Sequence, residues 1–157
     1  MPHTARPAAI TFEPRNPEWE ATVRGSFARQ KVMKLIGAEM GALAPGRCEI
    51  RLPFNDDLTQ QNGYFHAGIT GTIVDSAGGY AGLTLMPQGA EVLTVEFKLN
   101  LLAPADGEFL VAEGQVLKSG RNLVITRGEV YAIRNGKATH CATMQQTLMT
   151  MHGKEKK

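Results

Sequence analysis

Residues 60–82 read QQNGYFHAGITGTIVDSAGGYAG, and no other stretch restricts the fold as tightly. Ile69, Ile73, Ala77 and Tyr80 recur at the spacing of one helical face. Yet Gly68, Gly71, Gly78, Gly79 and Gly82 are threaded through the same helix, with a single acid, Asp75, in their midst. Gly68, Gly71, Asp75, Gly78 and Gly82 share roughly the opposite face. Each interior glycine costs a helix about 0.5–1 kcal/mol relative to alanine. That sum is large beside the stability of a small domain. What glycine offers in return is close approach, by a tightly wrapped sheet, a neighbouring subunit or a slim ligand.

Asp75 sharpens the constraint. A carboxylate amid an apolar helix needs partners or water. At its ordinary pKa it is ionised at neutral pH. Beside a smooth groove it is suited to act as a general base or a nucleophile. The competing reading is a structural hydrogen bond, within the chain or across a dimer. The helix start, His66-Ala67-Gly68, carries unpaired N–H groups and the positive end of the dipole, which suits a developing oxyanion. His66 is either a base or a support for this turn.

The remaining pattern is α+β in order. Asn16-Pro17-Glu18 reads as a helix start. Trp19, Val23, Phe27, Val32, Leu35, Ile36 and Met40 form a helical stripe that Pro45-Gly46 ends. Cys48, Ile50, Leu52 and Phe54 alternate with polar residues as a half-buried strand. Four strands then follow. In 91–101, Leu93, Val95, Phe97, Leu99 and Leu101 are expected on one face. Further strands lie at 108–118, at 121–134 (Leu123, Ile125, Tyr131 and Ile133 in period two) and at 137–149. Ser119-Gly120 and Asn135-Gly136 mark the turns, the latter a strong hairpin signal. The expected organisation is a loose arm over 1–15, one domain over 16–150 and a tail over 151–157.

Composition narrows the function. The chain has 157 residues, 43% hydrophobic and 20% charged, with a formal net charge of +2. No basic stripe calls for nucleic acid. No apolar run suggests a signal peptide or a membrane span. Cys48 and Cys141 form no disulfide framework, so a cytoplasmic chain with free thiols is expected. His3, His66, His140 and His152 lack metal-ligand spacing, and no dinucleotide or P-loop fingerprint occurs.

Gln60-x-x-Gly63-x-x-His66-Ala67-Gly68, with Asp75 seven residues on, resembles the hotdog-fold acyl-CoA thioesterases, in particular the phenylacetate-pathway (PaaI-like) branch. Leu93-Thr94-Val95-Glu96, Asn100-Leu101-Leu102-x-Pro104 and Lys118-Ser119-Gly120-Arg121 are similar to that family's later segments. Gln60 stands where the branch prefers Asn, and Ala67 where it prefers Gly. The resemblance implies a hotdog fold, a long central helix wrapped by a curved antiparallel sheet of about five or six strands. It implies hydrolysis of an acyl-CoA thioester, with Asp75 as base or nucleophile and the Ala67 N–H polarising the carbonyl. Gln60 would hold water or substrate, Thr94 would orient the water and His66 would support the loop. The helix-start and loop residues Gly68, Gly63 and Asn62 would contact substrate. Lys118, Gly120 and Arg121 are candidate substrate contacts; the resemblance does not fix them, and Lys118, Arg121 and Arg127 stand either as partners of the coenzyme A phosphates or as ordinary surface charge. A homodimer or homotetramer with sites between subunits is implied, with no cofactor beyond the coenzyme A of the substrate. Alternatives on the same fold are a 3-hydroxyacyl thioester dehydratase and a non-catalytic acyl-CoA sensor.

Overall fold

The computed structural model describes residues 11–153. Within them lie helices α1 (Trp19–Arg29), α2 (Lys31–Ile36) and α3 (Ala67–Leu83). Strands β1 (Glu39–Ala44), β2 (Arg47–Pro53), β3 (Glu91–Leu101), β4 (Phe109–Ser119), β5 (Leu123–Arg134) and β6 (Lys137–Met151) complete the order. All strand pairs are antiparallel, in the order β1-β2-β4-β5-β6-β3. The sheet wraps α3, which touches β2 through β6. This is the expected α+β hotdog arrangement. None of the described helices is long and apolar enough to cross a membrane.

The glycines of α3 and its sheet explain the tight wrap. Gly114 and Gly128 are register partners on β4 and β5, directly beneath the helix. A Cβ on either would overlap Ala77 or Val74. Gly82 approaches Leu148, where a Cβ would lie 2.5 Å from the methyl group. Missing side chains on both layers let the helix sit low, so burial and dispersion offset the propensity cost. From Thr70 to Leu83 only Thr72 and Asp75 are less than fully buried.

Two expectations are corrected. The helical stripe does not reach Met40. Gly37 adopts the left-handed conformation (φ 76°) and caps α2, with Ala38 N–H bonded to Met33 C=O at 2.9 Å. Met40 then lies in β1, and Pro45-Gly46 turns a hairpin instead of ending a helix. Met33 and Ile36 are buried while Val32 and Leu35 are exposed, so the apolar stripe lies on other residues than the spacing suggests.

The second correction concerns β3. A bulge between Thr94 and Glu96 inserts Val95 and shifts the alternation. Leu93 therefore pairs with outward Met149, whereas Phe97 pairs with buried Gln146. The five apolar residues do not share one face. On β5 the expected alternation holds, with Leu123, Ile125, Tyr131 and Ile133 on the outer face and the small set Val124, Thr126, Gly128, Val130 and Ala132 turned inward.

The helix start also differs. Asn16 accepts from the Glu18 N–H at 3.0 Å in a turn, and α1 begins at Trp19. Phe12 packs on the core edge and Arg15 donates to the Leu85 carbonyl at 2.8 Å. Residues 1–10 and 154–157 of the expected arm and tail lie outside the described residues. Asn135 and Gly136, with φ of 51° and 71°, form the two-residue hairpin that their identity predicts. Both cysteines are buried and free, and burial pushes the thiols up to about 12 for Cys48 and about 11 for Cys141.

Candidate active site

Asp75 occupies the middle of α3 and lines a cleft of about 760 Å³ between α1, α3 and the start of β3. Thr22, Ser26 and Arg29 of α1 form one wall, with Gln30 just beyond it. Gly79 lies one turn beyond Asp75, and nothing stands within 4 Å of where its Cβ would be. At Gly79 the floor of the cleft is therefore bare backbone.

The carboxylate is held on one side only. Thr94 Oγ1 donates to Asp75 Oδ1 at 2.8 Å, and Gln146 Nε2 donates to the same oxygen at 2.8 Å. Among the described residues no donor meets Oδ2. Burial raises the Asp75 pKa above the ordinary carboxylate value, while the bonds from Thr94 and Gln146 pull it back. Thr94 reaches Asp75 because the strand before the bulge turns it inward. The structure thus brings Asp75 and Thr94 together. Gln146 was missed in the sequence, although it stands in phase with buried Met144 and Leu148.

The helix start forms a second centre. His66 is the N-cap, and its Nδ1 accepts from the Gly68 N–H at 2.9 Å. That nitrogen is committed to the cap. Ala67 is the first helical residue, and among the described residues its N–H meets no acceptor. The preceding loop is folded on itself. The Gln60 N–H bonds Tyr64 C=O and the Gly63 N–H bonds Gln60 C=O, both at 2.9 Å. The Gln60 side-chain oxygen accepts from the Asn62 N–H. Gly63 is left-handed (φ 81°), which serves this turn. Eight residues separate Ala67 from Asp75, roughly 12 Å along the helix at 1.5 Å per residue. Within one protomer the two centres do not meet.

The coenzyme A candidates lie elsewhere again. Lys118 is the next-to-last residue of β4, and Gly120 and Arg121 lie in the turn to β5, outside the Asp75 cleft. Gly120 and Arg121 border a shallow depression with Phe12 and Arg15. Arg127 pairs with Glu129 at 3.1 Å on the outer face of the sheet. Among the described residues, no three His, Cys, Asp or Glu side chains group as metal ligands.

Residues 62–139 match the Thioesterase superfamily family model. A solved thioesterase family protein from Silicibacter pomeroyi is 48% identical, covers 86% of this chain and 99% of its own, and superposes with a TM-score of 0.85. Human acyl-coenzyme A thioesterase 13 is 30% identical over 95 residues, 60% of this chain and 67% of that protein. The Escherichia coli PaaI protein, at 16% identity and TM-score 0.77 over 88% of this chain and 97% of its own, shares the fold. Fold, motif order and these likenesses converge: the chain belongs to the thioesterase superfamily, whose members are thioester hydrolases.

Proposed function

We propose that the protein hydrolyses an acyl-CoA thioester to a carboxylic acid and free coenzyme A, with Asp75 as general base. The observation that carries this reading is a carboxylate held by Oδ1 alone, beside an open cleft floored by Gly79. Its raised pKa makes it a better proton acceptor than an ordinary surface aspartate. In this reading Asp75 takes a proton from water, and the resulting hydroxide attacks the thioester carbonyl. The carbonyl electrons move onto oxygen, collapse back and expel the sulfur as thiolate. A thiol of pKa about 8.5 is a good leaving group near neutral pH, so one carboxylate suffices without a dedicated general acid.

The oxyanion needs a donor, and the Ala67 N–H at the positive end of α3, which meets no acceptor among the described residues, fits that task. Because it lies roughly 12 Å from Asp75 of its own chain, a second protomer supplies it. This is supported by β3, a sheet edge whose start lines the Asp75 cleft and whose Phe97 and Leu101 are more than half exposed. Pairing two such edges about a twofold axis would join the sheets and bring each helix start toward the partner's acid. Gln60 and its loop then border the thioester, and His66 holds the cap. Lys118, Gly120 and Arg121 remain candidates for coenzyme A phosphates at the rim.

The test is thiol release from a panel of acyl-CoA substrates by wild type and Asp75→Asn. The variant is expected to lose about 10²–10⁴-fold in kcat while keeping its native mass. Wild-type turnover by Asp75→Asn would overturn the assignment. Binding of acyl-CoA by the wild type without thiol release would point to a sensor.

A further inference from the structure

We propose that Gln146 is a positioning residue for the reaction: its buried amide anchors Oδ1 of Asp75 and thereby makes Oδ2 the oxygen that works on water and substrate. This rests on the reading of Asp75 as the reactive carboxylate.

Gln146 lies on the inner face of β6, 2% exposed, between the buried Met144 and Leu148. An apolar side chain of that volume would suit the position better on packing grounds, since burying an amide is costly unless it is fully bonded. Here it is bonded toward one residue. Nε2 donates to Asp75 Oδ1 at 2.8 Å and to the Asp75 main-chain carbonyl at 3.2 Å. Oε1 accepts from Thr126 Oγ1 at 2.9 Å, and Thr126 is fully buried on β5. Asp75 Oδ1 and the Asp75 carbonyl only accept, so the NH₂ end of the amide must face the acid, and the Thr126 hydroxyl then donates to Oε1 and holds the amide from behind. Gly78 completes the arrangement. A Cβ there would lie 2.8 Å from the amide carbon and 2.9 Å from Thr126 Oγ1. The glycine keeps open the space that the amide occupies.

The chain Thr126–Gln146–Asp75 is thus a relay of orientation. With Thr94 it places two donors on Oδ1, while among the described residues Oδ2 receives none. A carboxylate fixed in this way cannot rotate to exchange its oxygens without breaking two bonds to a charged group. The ionisable groups lining the same cleft are Arg29, Tyr80 and Glu91. The bonds that offset burial of the acid come from neutral donors, Thr94 and Gln146. Removing the amide donor therefore raises the Asp75 pKa further.

Gln146→Met keeps the length and removes both donors. Thr126→Val keeps the shape and removes the hydroxyl behind the amide. Two readings are taken on the full-length protein: thiol release from its best acyl-CoA substrate, and titration of the Asp75 carboxyl carbon by NMR with ¹³C-labelled aspartate. Gln146→Met is expected to lose about 30-fold in kcat with KM within about twofold, and its Asp75 titration moves up by about one pH unit. Thr126→Val moves both in the same direction by less. A Gln146→Met protein whose kcat and Asp75 titration match wild type overturns the proposal. Should that variant fail to fold, an unchanged Asp75 titration in Thr126→Val overturns it instead. If wild type releases no thiol from any acyl-CoA, the thioesterase reading falls, and the carboxyl titration still decides whether the amide controls the acid.

Discussion

Replacing Ala67 by proline isolates the proposed oxyanion donor from everything else in the fold. His66, the preceding residue, has φ −63° and ψ 141°, the extended conformation that proline demands of its neighbour. Ala67 is the first helical residue, where proline is favoured and the lost N–H had no partner among the described residues. Stability should stay within about 0.5 kcal/mol of wild type. Catalysis should not: losing one oxyanion donor costs about 10²–10³-fold in kcat. Co-expression with Asp75→Asn then asks which chain supplies which half of the site. With random pairing, half the dimers are mixed. Each mixed dimer has one site carrying both lesions and one carrying neither, so about a quarter of wild-type activity returns. A site contained in one protomer would recover nothing, because every chain would carry a lesion. Thiol release from the purified mixture, compared with the summed parents, reads the answer. A mixture no more active than its parents refutes the shared site, and wild-type kcat in Ala67→Pro refutes the role of the amide.

Adjacent glycines should respond with opposite signs. Gly78→Ala collides with Gln146 and Thr126, and overpacking of about 1–3 kcal/mol outweighs the helix-propensity gain, lowering Tm by a few degrees. Gly79→Ala meets open space and should gain up to about 1 kcal/mol while raising KM, because its methyl group enters the cleft; equal melting curves for the two would sink the assignment of space around α3. Asp75→Asn should also be more stable than wild type at pH 7. The folded-state pKa of Asp75 is raised, so its stabilising contribution is complete below the unfolded value near 3.8 and is lost as pH rises through the folded value. Urea midpoints should therefore diverge between variant and wild type from about pH 4 upward, and a constant difference down to pH 3 would contradict the burial argument.

The strands β3 to β6 and their hairpin were legible because period-two alternation and Asn135-Gly136 are local signals. Asp75 stood out for a related reason, a charge where the helix pattern wanted none. Met40 misled because short β1 continues the apolar spacing of α2, and only the left-handed turn at Gly37 separates them. The glycines announced close approach but not its partner; Gly78 and Gly82 serve the sheet, and Gly79 alone of these three faces open space. Gln146 carried a readable mark, an amide in phase with Met144 and Leu148, but its meaning depends on an acid 71 positions away. No local pattern encodes that meeting.

The surplus residue at Val95 divides β3 into two reading frames. Ahead of it, the alternating positions that turn inward include Thr94 and answer to the chemistry of Asp75. Behind it, the inward positions are Leu99, which packs on the core, and Phe97 and Leu101, which are left exposed at the free border of the sheet. In the proposed dimer, one strand can therefore drift in the residues that hold Asp75 without disturbing the edge where copies would associate, and the reverse. Deleting a single residue at the bulge would fuse the two frames and rotate Thr94 away from the acid.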